Sequence, residues 1–582
     1  MFKLVLSKPG IFGSIFVGAL VLLGLFSVVQ YYIPETPLTH DQALAELTDM
    51  RLDVGATFTP ANRTANVPLN PAPGIEKTLP DISQYPFTVD PALSSGDVAV
   101  EIFVTTIRGW GGVVGGRERP ADGLTTEIAE AFNAADIRLA DGRRAKLRVR
   151  YIASGTAYEF ISSGRHMPDA YSPVHHLWIR MLEAKGVPVT PIAESMAMSA
   201  GGVVIRSEIA NQLRAPDGSL DVKAMIDKVV RGDIAMGYTN PFASSTGLNF
   251  LVTILSSFAG GDDAAMLSPA VADTFEQFQR NVPFIALTTV EMRESVLSEG
   301  GSLDAFVMGY QTFISAPQLE AGFEFIPFGV AHDQPLYAVG DIGSAKLEAL
   351  ELFAKFADQP RFRAKADEYG WNRDLAKRFS PTVPIPTGET LIRAQRLWKE
   401  KKDAGQPIAA VFLSDVSGSM NGARIAGVRK ALIAGSEFIG PENSIGLVLF
   451  SDKVRVVLPV RKFDMVHRAR FVAAVEDMRV GGSTAMYDGV IEALSLLVEE
   501  KRRNPRVKPM LFVLTDGETN KGYGYGAVEA MVRGVGIPIN TVGYEADIAE
   551  LTRLARLVEA TTVKAGEGNV VYKIASLLNA KM

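Results

Sequence analysis

From about residue 97 onward, apolar stretches typical of buried strands alternate with stretches of helical periodicity. DVAVEIFVTT at 97–106 predicts a strand, TTEIAEAFNAA at 125–135 an amphipathic helix, and AKLRVRYIAS at 145–154 the next strand. This alternation indicates an α/β protein with parallel sheets. At 582 residues the chain is too long for one hydrophobic core, so two or three domains are expected.

Two proline-rich stretches separate the predicted parts of the chain. Residues 34–96 are rich in Pro and Thr and predict an extended spacer, in which a short helix near 40–52 is possible. The segment SPTVPIPTG at 380–388 is a second break, and a charged helix is expected after it. The expected parts are therefore an N-terminal anchor at 1–33, a spacer at 34–96, an α/β domain at 97–378, a linker with a helix at 379–405 and a second α/β domain at 406–582.

The anchor is predicted from an uncharged apolar run at residues 11–33. At about 1.5 Å per residue, a helix of this length can cross about 30 Å of hydrocarbon. Lys3 and Lys8 precede the run and no Lys or Arg follows it until Arg51, which predicts a single-pass transmembrane helix with a cytoplasmic N-terminus. A cleaved signal peptide is the alternative, but the run is long for one and no small-x-small cleavage pattern follows.

Composition and missing motifs exclude several classes of function. The net charge of −6 gives no reason to expect a nucleic acid as a partner. The absence of Cys excludes disulfides, a catalytic thiol and thiolate-bound metals. The sequence contains neither HExxH nor GxSxG, and the adjacent His175 and His176 are expected to diverge on a helix. We therefore expect a protein that is not an enzyme.

Three short segments of the second α/β domain carry the oxygen ligands of a candidate metal site. LSDVSGSM (413–420) and LFVLTDGET (511–519) each end a predicted strand with an aspartate, and GGSTAMYDG (481–489) is a glycine turn. In parallel sheets, ligands bind outside the carboxyl ends of the strands. Two carboxylates and three hydroxyls suit Mg²⁺, or Ca²⁺ or Mn²⁺, and leave room for water or for an acidic group of a partner. The candidate ligands are Asp415, Ser417, Ser419, Thr484 and Asp516.

Residues 406–582 resemble the von Willebrand factor A-type (VWA) domain, whose metal-ion-dependent adhesion site (MIDAS) has the motif Asp-x-Ser-x-Ser with a distant Thr and a distant Asp. The resemblance implies a doubly wound, Rossmann-like sheet, Mg²⁺ bound by the five residues directly or through water, and recognition of a protein partner, commonly through an acidic residue. The alternative is that the segments only cap a helix and form a turn, which does not explain why all five residues coincide. Asp488 is predicted to start a helix and Glu518 to lie on the surface.

Residues 97–378 resemble a bacterial extracellular solute-binding protein with two α/β lobes, through SGTAYEF (154–160) and GYTNPFASSTGLNFL (237–251). Both segments place hydroxyls at predicted helix starts, where free N–H groups and the helix dipole favour anions. Helix capping alone is the alternative explanation. If the periplasmic-binding-protein-like cleft exists, it would hold a small anionic solute, an oxyanion or a carboxylate. The candidate ligand-binding residues are Ser154, Thr156, Tyr238, Thr239, Asn240, Ser244, Ser245 and Thr246.

Three functions remain open from the sequence. The chain could be an adaptor of the bacterial inner membrane, with most of it periplasmic or extracellular, whose VWA domain docks a protein partner. It could instead be the solute-binding component of a transport or sensing system, or a metal-dependent assembly factor whose cleft is vestigial. In each case, we expect the spacer and the cleft domain to stand between the membrane and the candidate metal site.

Overall fold

The computed structural model describes two short strands at 113–114 and 117–118 and residues 38–69, 74–105, 123–214, 222–297, 303–368, 370–371, 385–545, 548–558 and 560–582. The transmembrane helix predicted at 11–33 lies outside these residues. None of the helices in the described ranges is long and apolar enough to cross a membrane.

The described chain begins with helix α1 (His40–Val54) and strand β1 (Thr57–Phe58), and a middle domain with two sheets follows. The strands of the middle domain are β2 (Phe87–Val89), β3 (Asp97–Val104), β4 (Val113–Val114), β5 (Arg117–Glu118), β6 (Arg144–Tyr151), β7 (Ala170–Ser172), β8 (Val189–Ala193), β9 (Ser199–Arg206), β10 (Met236–Thr239), β11 (Phe284–Ala286), β12 (Ala305–Gly309), β13 (Phe323–His332) and β14 (Leu336–Val339). Its helices are α2 (Gly123–Ala134), α3 (Ser154–Ser162), α4 (Leu177–Ala184), α5 (Ser207–Gln212), α6 (Val222–Arg231), α7 (Ser245–Phe258), α8 (Pro269–Gln279), α9 (Thr289–Val296), α10 (Tyr310–Ile314), α11 (Pro317–Glu320), α12 (Gly343–Ala357) and α13 (Pro360–Glu368).

The two sheets form two lobes. In the first lobe the strand order is β2-β6-β3-β7-β14-β8, and β3 runs parallel to β6 and β7. In the second lobe the order is β11-β10-β12-β9-β13, and β10 runs parallel to β11 and β12. The chain passes between the lobes twice, from β8 to β9 and from β13 to β14. The expected mixed α/β architecture is therefore present, and the carboxyl ends of the parallel strands are available to form a cleft.

The linker helix α14 (Gly388–Lys401) belongs to the core of the middle domain. Leu391, Ala394 and Trp398 are buried in one apolar cluster with side chains from both lobes. Gly388 packs on the first lobe, where a Cβ would lie only 1.9 Å from the carbonyl oxygen of Arg180, so this contact requires glycine. The helix therefore fastens both lobes instead of only leading to the next domain.

The terminal domain is one mostly parallel sheet between helices. Its strands are β15 (Ile408–Asp415), β16 (Ser444–Phe450), β17 (Val454–Lys462), β18 (Lys508–Thr515), β19 (Ile539–Tyr544) and β20 (Thr562–Ala565), and its helices are α15 (Ala423–Gly435), α16 (Met465–Glu476), α17 (Met486–Arg503), α18 (Tyr525–Val535), α19 (Ala549–Arg556) and α20 (Val570–Lys581). The strand order is β1-β17-β16-β15-β18-β19-β20. Every residue of β15 is buried, as expected for a central strand covered by helices on both faces.

The N-terminal segment, residues 38–69, lies on this terminal domain, which differs from the extended spacer that we expected. Ala43, Leu47 and Met50 recur at helical spacing on α1 and are buried against α17 and α18. Arg51 donates two hydrogen bonds of 2.9 Å to the buried carboxylate of Glu492, and β1 extends the sheet beside β17. The segment is ordered because its apolar stripe and its guanidinium both find partners on the sheet's helical layer.

The direction of α1 also places the start of the described chain. His40 Nδ1 lies 2.9 Å from the carbonyl oxygen of Gly534, near the end of α18. At the other end of α1, the hydroxyl of Tyr523, which precedes α18, donates to Asp53 at 2.9 Å. Because α18 begins at the carboxyl edge of the sheet, α1 starts at the opposite edge. We expected the spacer and the cleft domain to stand between the membrane and the candidate metal site, but the first described helix packs directly on the terminal domain.

Candidate functional site

Two neighbouring parallel strands bring the candidate aspartates together. Asp415 is the last residue of β15, and Asp516 directly follows β18. The two strands pair in parallel, with Ser414 opposite Leu514. Both carboxylates therefore leave the sheet at the same edge, as the sequence predicts.

Asp415 is fully buried and is held by two hydrogen bonds. Its Oδ1 accepts from the backbone N–H of Ser417 at 2.7 Å, and its Oδ2 accepts from the Thr515 hydroxyl at 2.5 Å. Burial raises the pKa of Asp415, although the hydrogen bonds from Ser417 and Thr515 act in the opposite direction. A nearby cation would stabilise the ionised form of a carboxylate that is buried in this way.

The two candidate serines connect the motif loop to Asp516. Ser417 Oγ and Ser419 Oγ lie 3.0 Å apart, and Ser419 Oγ donates to Asp516 Oδ1 at 2.8 Å. Ser419 belongs to a single 3₁₀ turn at Gly418–Met420 that follows the strand end. The structure thus joins three of the candidate ligands in one hydrogen-bonded chain.

Thr484 reaches the same edge through the backbone. The N–H of Gly418 donates to the Gly482 carbonyl at 3.0 Å, and the N–H of Gly481 donates to the Val416 carbonyl at 2.8 Å. Thr484 itself is buried, and its N–H donates to the Asn520 side chain at 2.8 Å. These contacts place the glycine turn beside the Asp415 loop and close to the loop that follows Asp516.

Arg424 is a member of this site that the sequence did not single out. On α15, its Nη1 donates to Asp516 Oδ2 at 2.6 Å and to the Ser419 carbonyl at 3.1 Å, and its Nε pairs with Glu545 at 3.4 Å. The guanidinium therefore balances one carboxylate of the site. Its place five residues after Ser419 was the only available signal, because an arginine on a helix is usually solvated.

The donor set fits a hard divalent cation. Two carboxylates and three hydroxyls, all of them oxygen donors, lie on three loops at one edge of the sheet. Within the described ranges, no group of three or more His, Cys, Asp and Glu side chains could hold a metal ion. Any ion at this edge would therefore need the hydroxyls as well as the two aspartates, and water or an outside ligand would complete its shell.

Two other acidic residues of these loops have different roles. Asp488 lies in the first turn of α17, and its Oδ1 accepts from the Tyr523 N–H at 2.8 Å, so it fixes the loop before α18. Glu518 is exposed. Both placements agree with the predictions of a helix-start residue and a surface residue.

In the middle domain, a cavity of about 310 Å³ lies between the carboxyl edges of the two sheets. Four of the eight candidate ligand-binding residues line it, and they are Ser154, Ser244, Ser245 and Thr246. The walls come from the first residues of α3, α7 and α9 and from the segments after β3 and β12. The two predicted helix starts therefore face one space, as the sequence suggested.

The other four candidates are not part of the cavity wall. Thr156 bonds the hydroxyl of Tyr572 at 2.8 Å, so it faces the terminal domain. Tyr238 is buried, and its hydroxyl accepts from Trp398 Nε1 at 2.7 Å. Thr239 donates to Ser244 at 2.9 Å, and Asn240 accepts from the Phe242 N–H at 2.8 Å. These side chains support the fold around the cavity.

Several lining residues were missed because they are far apart in sequence. They are Thr105, Thr288, Thr289, Glu291, Gln311, Thr312 and His332. His332 is buried, and its Nε2 has no hydrogen-bond partner among the described residues. Burial and the neighbouring His175 ring hold the pKa of His332 well below its usual range, which keeps the ring neutral. Among the described residues that line the cavity there is no Lys or Arg.

A chain of hydrogen bonds connects residues at the base of the cavity. Trp178 Nε1 donates to Ser245 Oγ at 2.9 Å, and Ser245 Oγ donates to Ser154 Oγ at 2.9 Å. Ser154 Oγ lies 2.7 Å from Thr105 Oγ1. An indole nitrogen can only donate, so Ser245 Oγ accepts at the Trp178 end of this chain, whereas either hydroxyl can be the donor between Ser154 and Thr105.

Comparisons with known proteins show what the chain is similar to. Residues 410–575 match the family model of the von Willebrand factor type A domain. Inter-alpha-trypsin inhibitor heavy chain H3 of Bos taurus is 27% identical over 123 residues, which are 20% of this chain and 14% of the relative, so the chain spans only a small part of that protein.

Among solved structures, a von Willebrand factor type A protein from Catenulispora acidiphila is 17% identical, covers 30% of this chain and 42% of its own, and gives a TM-score of 0.28. A periplasmic thiamin binding protein is 12% identical, covers 54% of this chain and 99% of its own, and gives a TM-score of 0.38. The chain thus contains a von Willebrand factor type A domain at residues 410–575, and its structural neighbours include both VWA proteins and periplasmic solute-binding proteins.

Proposed function

We propose that the VWA domain binds a divalent cation, Mg²⁺ in the first instance and otherwise Ca²⁺ or Mn²⁺, and docks a protein partner through it. The observation that supports this proposal is that separate loops bring Asp415, Ser417, Ser419 and Asp516 into one bonded cluster, with Thr484 on the adjoining turn. Structural capping alone would not require three separated segments to meet at one sheet edge.

In this proposal, Asp415, Ser417, Ser419, Thr484 and Asp516 hold the ion directly or through water. The ion supplies a positive charge that an acidic side chain of the partner can approach. Arg424 already neutralises part of Asp516, and its guanidinium competes with the ion for that carboxylate. Docking is therefore expected to depend on the metal, and the protein is not expected to catalyse a reaction.

We also propose that the protein is anchored in the inner membrane of a bacterium through residues 11–33, with its N-terminus in the cytoplasm and the bulk of the chain in the periplasm. Residue 38 lies five residues beyond the apolar run, and five residues of chain span at most about 18 Å. Since α1 begins at the sheet edge opposite the candidate metal site, the VWA domain would stand close to the membrane with its metal edge facing away from it.

The second candidate function is binding of a small oxyanion or carboxylate in the cavity of the middle domain. Hydroxyl groups at Ser154 and Ser245, the first residues of two helices, line one space together with the hydroxyl of Thr105. His332 is part of the same wall, and its Nε2, which has no partner among the described residues, can donate or accept according to the tautomer. Because no cation lines the described wall, such a ligand would be held by hydrogen bonds and helix dipoles.

Replacing both carboxylates of the metal site tests the first proposal. Asp415→Asn combined with Asp516→Asn keeps the side-chain shapes but removes both negative charges. We expect Mg²⁺ affinity to fall by at least about 100-fold, equivalent to about 2.7 kcal/mol, in isothermal titration. Capture of a partner from a periplasmic extract should be lost together with metal binding. Glu518→Gln, on the same loop as Asp516, should change neither, and capture that persists in the double variant would contradict metal-mediated docking.

Removing the competing guanidinium should have the opposite effect. In Arg424→Met, Asp516 loses its ion-pair partner, which for a partly exposed pair is worth up to about 1 kcal/mol. We expect Mg²⁺ to bind up to about fivefold more tightly in the same titration. Arg533→Met, which removes an exposed arginine on α18, controls for the change in net charge. Weaker binding in Arg424→Met would show that the guanidinium supports the site.

A fusion tests the proposed topology. Alkaline phosphatase joined after Met582 folds actively only outside the cytoplasm, so we expect high phosphatase activity in intact cells. A cytoplasmic reporter at the same position should be inactive. The reverse pattern would overturn the proposed orientation.

Titration of the full chain with small anions tests whether the cavity binds a ligand. The middle domain should not be isolated at 97–378 for this purpose, because Trp398 and Tyr572 complete its apolar core. We expect inorganic sulfate or acetate to bind, and Ser154→Ala to weaken binding by about tenfold through the loss of about 1.4 kcal/mol of hydrogen bonding. Ser163→Ala, at the far end of the same helix, is the matched control. If neither anion binds the unaltered chain, this second function fails.

A further inference from the structure

The last helix of the VWA domain contacts both lobes of the middle domain. The hydroxyl of Tyr572 on α20 donates to Glu159 at 2.8 Å and is bonded by Thr156 at 2.8 Å, and both partners lie on α3. At the other end of α20, Lys581 Nζ donates to the Ile285 carbonyl at 2.8 Å, in β11 of the second lobe. One helix therefore holds an element of each lobe.

Both contacted elements continue directly into the wall of the cavity. The helix α3 begins at Ser154, which lines the first-lobe side. The strand β11 is followed by Thr288, Thr289 and Glu291, which line the second-lobe side. Tyr572 and Lys581 are thus each one short element away from the residues that would touch a ligand.

The helix α14 makes a parallel connection. Its first residue, Gly388, packs on the Arg180 carbonyl of the first lobe. Farther along, Gln395 Nε2 donates to the Pro241 carbonyl at 2.8 Å, and Trp398 Nε1 donates to the Tyr238 hydroxyl, both in the second lobe. The lobes are therefore joined by two helices that belong to neither sheet.

We propose that α14 and α20 brace the two lobes at a fixed angle, and that Tyr572 and Lys581 of the VWA domain are positioning residues of the cavity. The interlobe angle is then a property of the whole chain, and opening the lobes requires breaking contacts with the VWA domain. The consequence for ligand affinity rests on the second proposed function, whereas the brace itself needs no ligand.

Spin labels can measure the brace without a ligand. The chain contains no Cys, so Glu351→Cys on α12 and Gln277→Cys on α8 place one label on each lobe, both at exposed positions. Electron–electron double resonance then reports the distribution of interlobe distances. We expect one narrow distance in the otherwise unaltered chain.

The triple variant Tyr572→Phe, Lys581→Met and Gln395→Leu tests this proposal. The three changes nearly preserve side-chain size but remove the hydrogen bonds that α14 and α20 make with the lobes. We expect longer interlobe distances to appear. Tyr544→Phe is the matched control, because its buried hydroxyl has no partner among the described residues and lies within the VWA domain. A distribution unchanged from that of the control would overturn the proposal. If the triple variant does not fold, Tyr572→Phe alone is measured with the same criterion.

A titration with inorganic sulfate and acetate separates the two proposals. If the unaltered chain binds either anion, we expect about tenfold weaker binding in the triple variant, and equal affinity would overturn the positioning role. If neither anion binds but the interlobe distances lengthen in the triple variant, α14 and α20 do fix the interlobe angle, and the proposed ligand function of the cavity is wrong.

Discussion

The parallel pairing of β15 with β18 is the constraint on which the candidate metal site depends. It brings the end of β15 and the first residue after β18 to one edge, so that two aspartates separated by a hundred residues share a single cluster. The motif loop, the glycine turn and Arg424 then organise around these carboxylates through hydrogen bonds. A slip in the register of this pair would separate the carboxylates, since the strand ends would no longer coincide.

The domains are interleaved to a degree that the order of the chain conceals. The N-terminal segment packs on the terminal domain, α14 completes the core of the middle domain, and α20 fastens both lobes. The first two of these elements bury apolar side chains against partners far away in the sequence, and α20 contacts the lobes through Tyr572 and Lys581. The candidate metal site and the cavity are thereby held in one connected arrangement.

Local patterns predicted the α/β class and most strands and helices, because buried strands and amphipathic helices leave a periodic signal. They also singled out the five candidate metal ligands, because these residues lie within three short segments whose spacing can be read from the sequence. The cavity was predicted less completely. Ser154 and Ser245 were predicted correctly from helix starts, but Tyr238 and Asn240 support the core and do not line the cavity. His332 was missed because the residues around it, such as His175 and Gly201, are far away in the sequence.

The sequence by itself determined which elements form and which chemical groups lie at strand ends and helix starts, since those follow from periodicity and turn chemistry within a few residues. Only the tertiary structure decided that a segment with the composition of a spacer docks on the last domain, that Arg424 shares a carboxylate with the candidate ligands, and that one terminal helix reaches both lobes. These outcomes depend on which apolar faces and charges meet across hundreds of residues, and no local pattern encodes that choice.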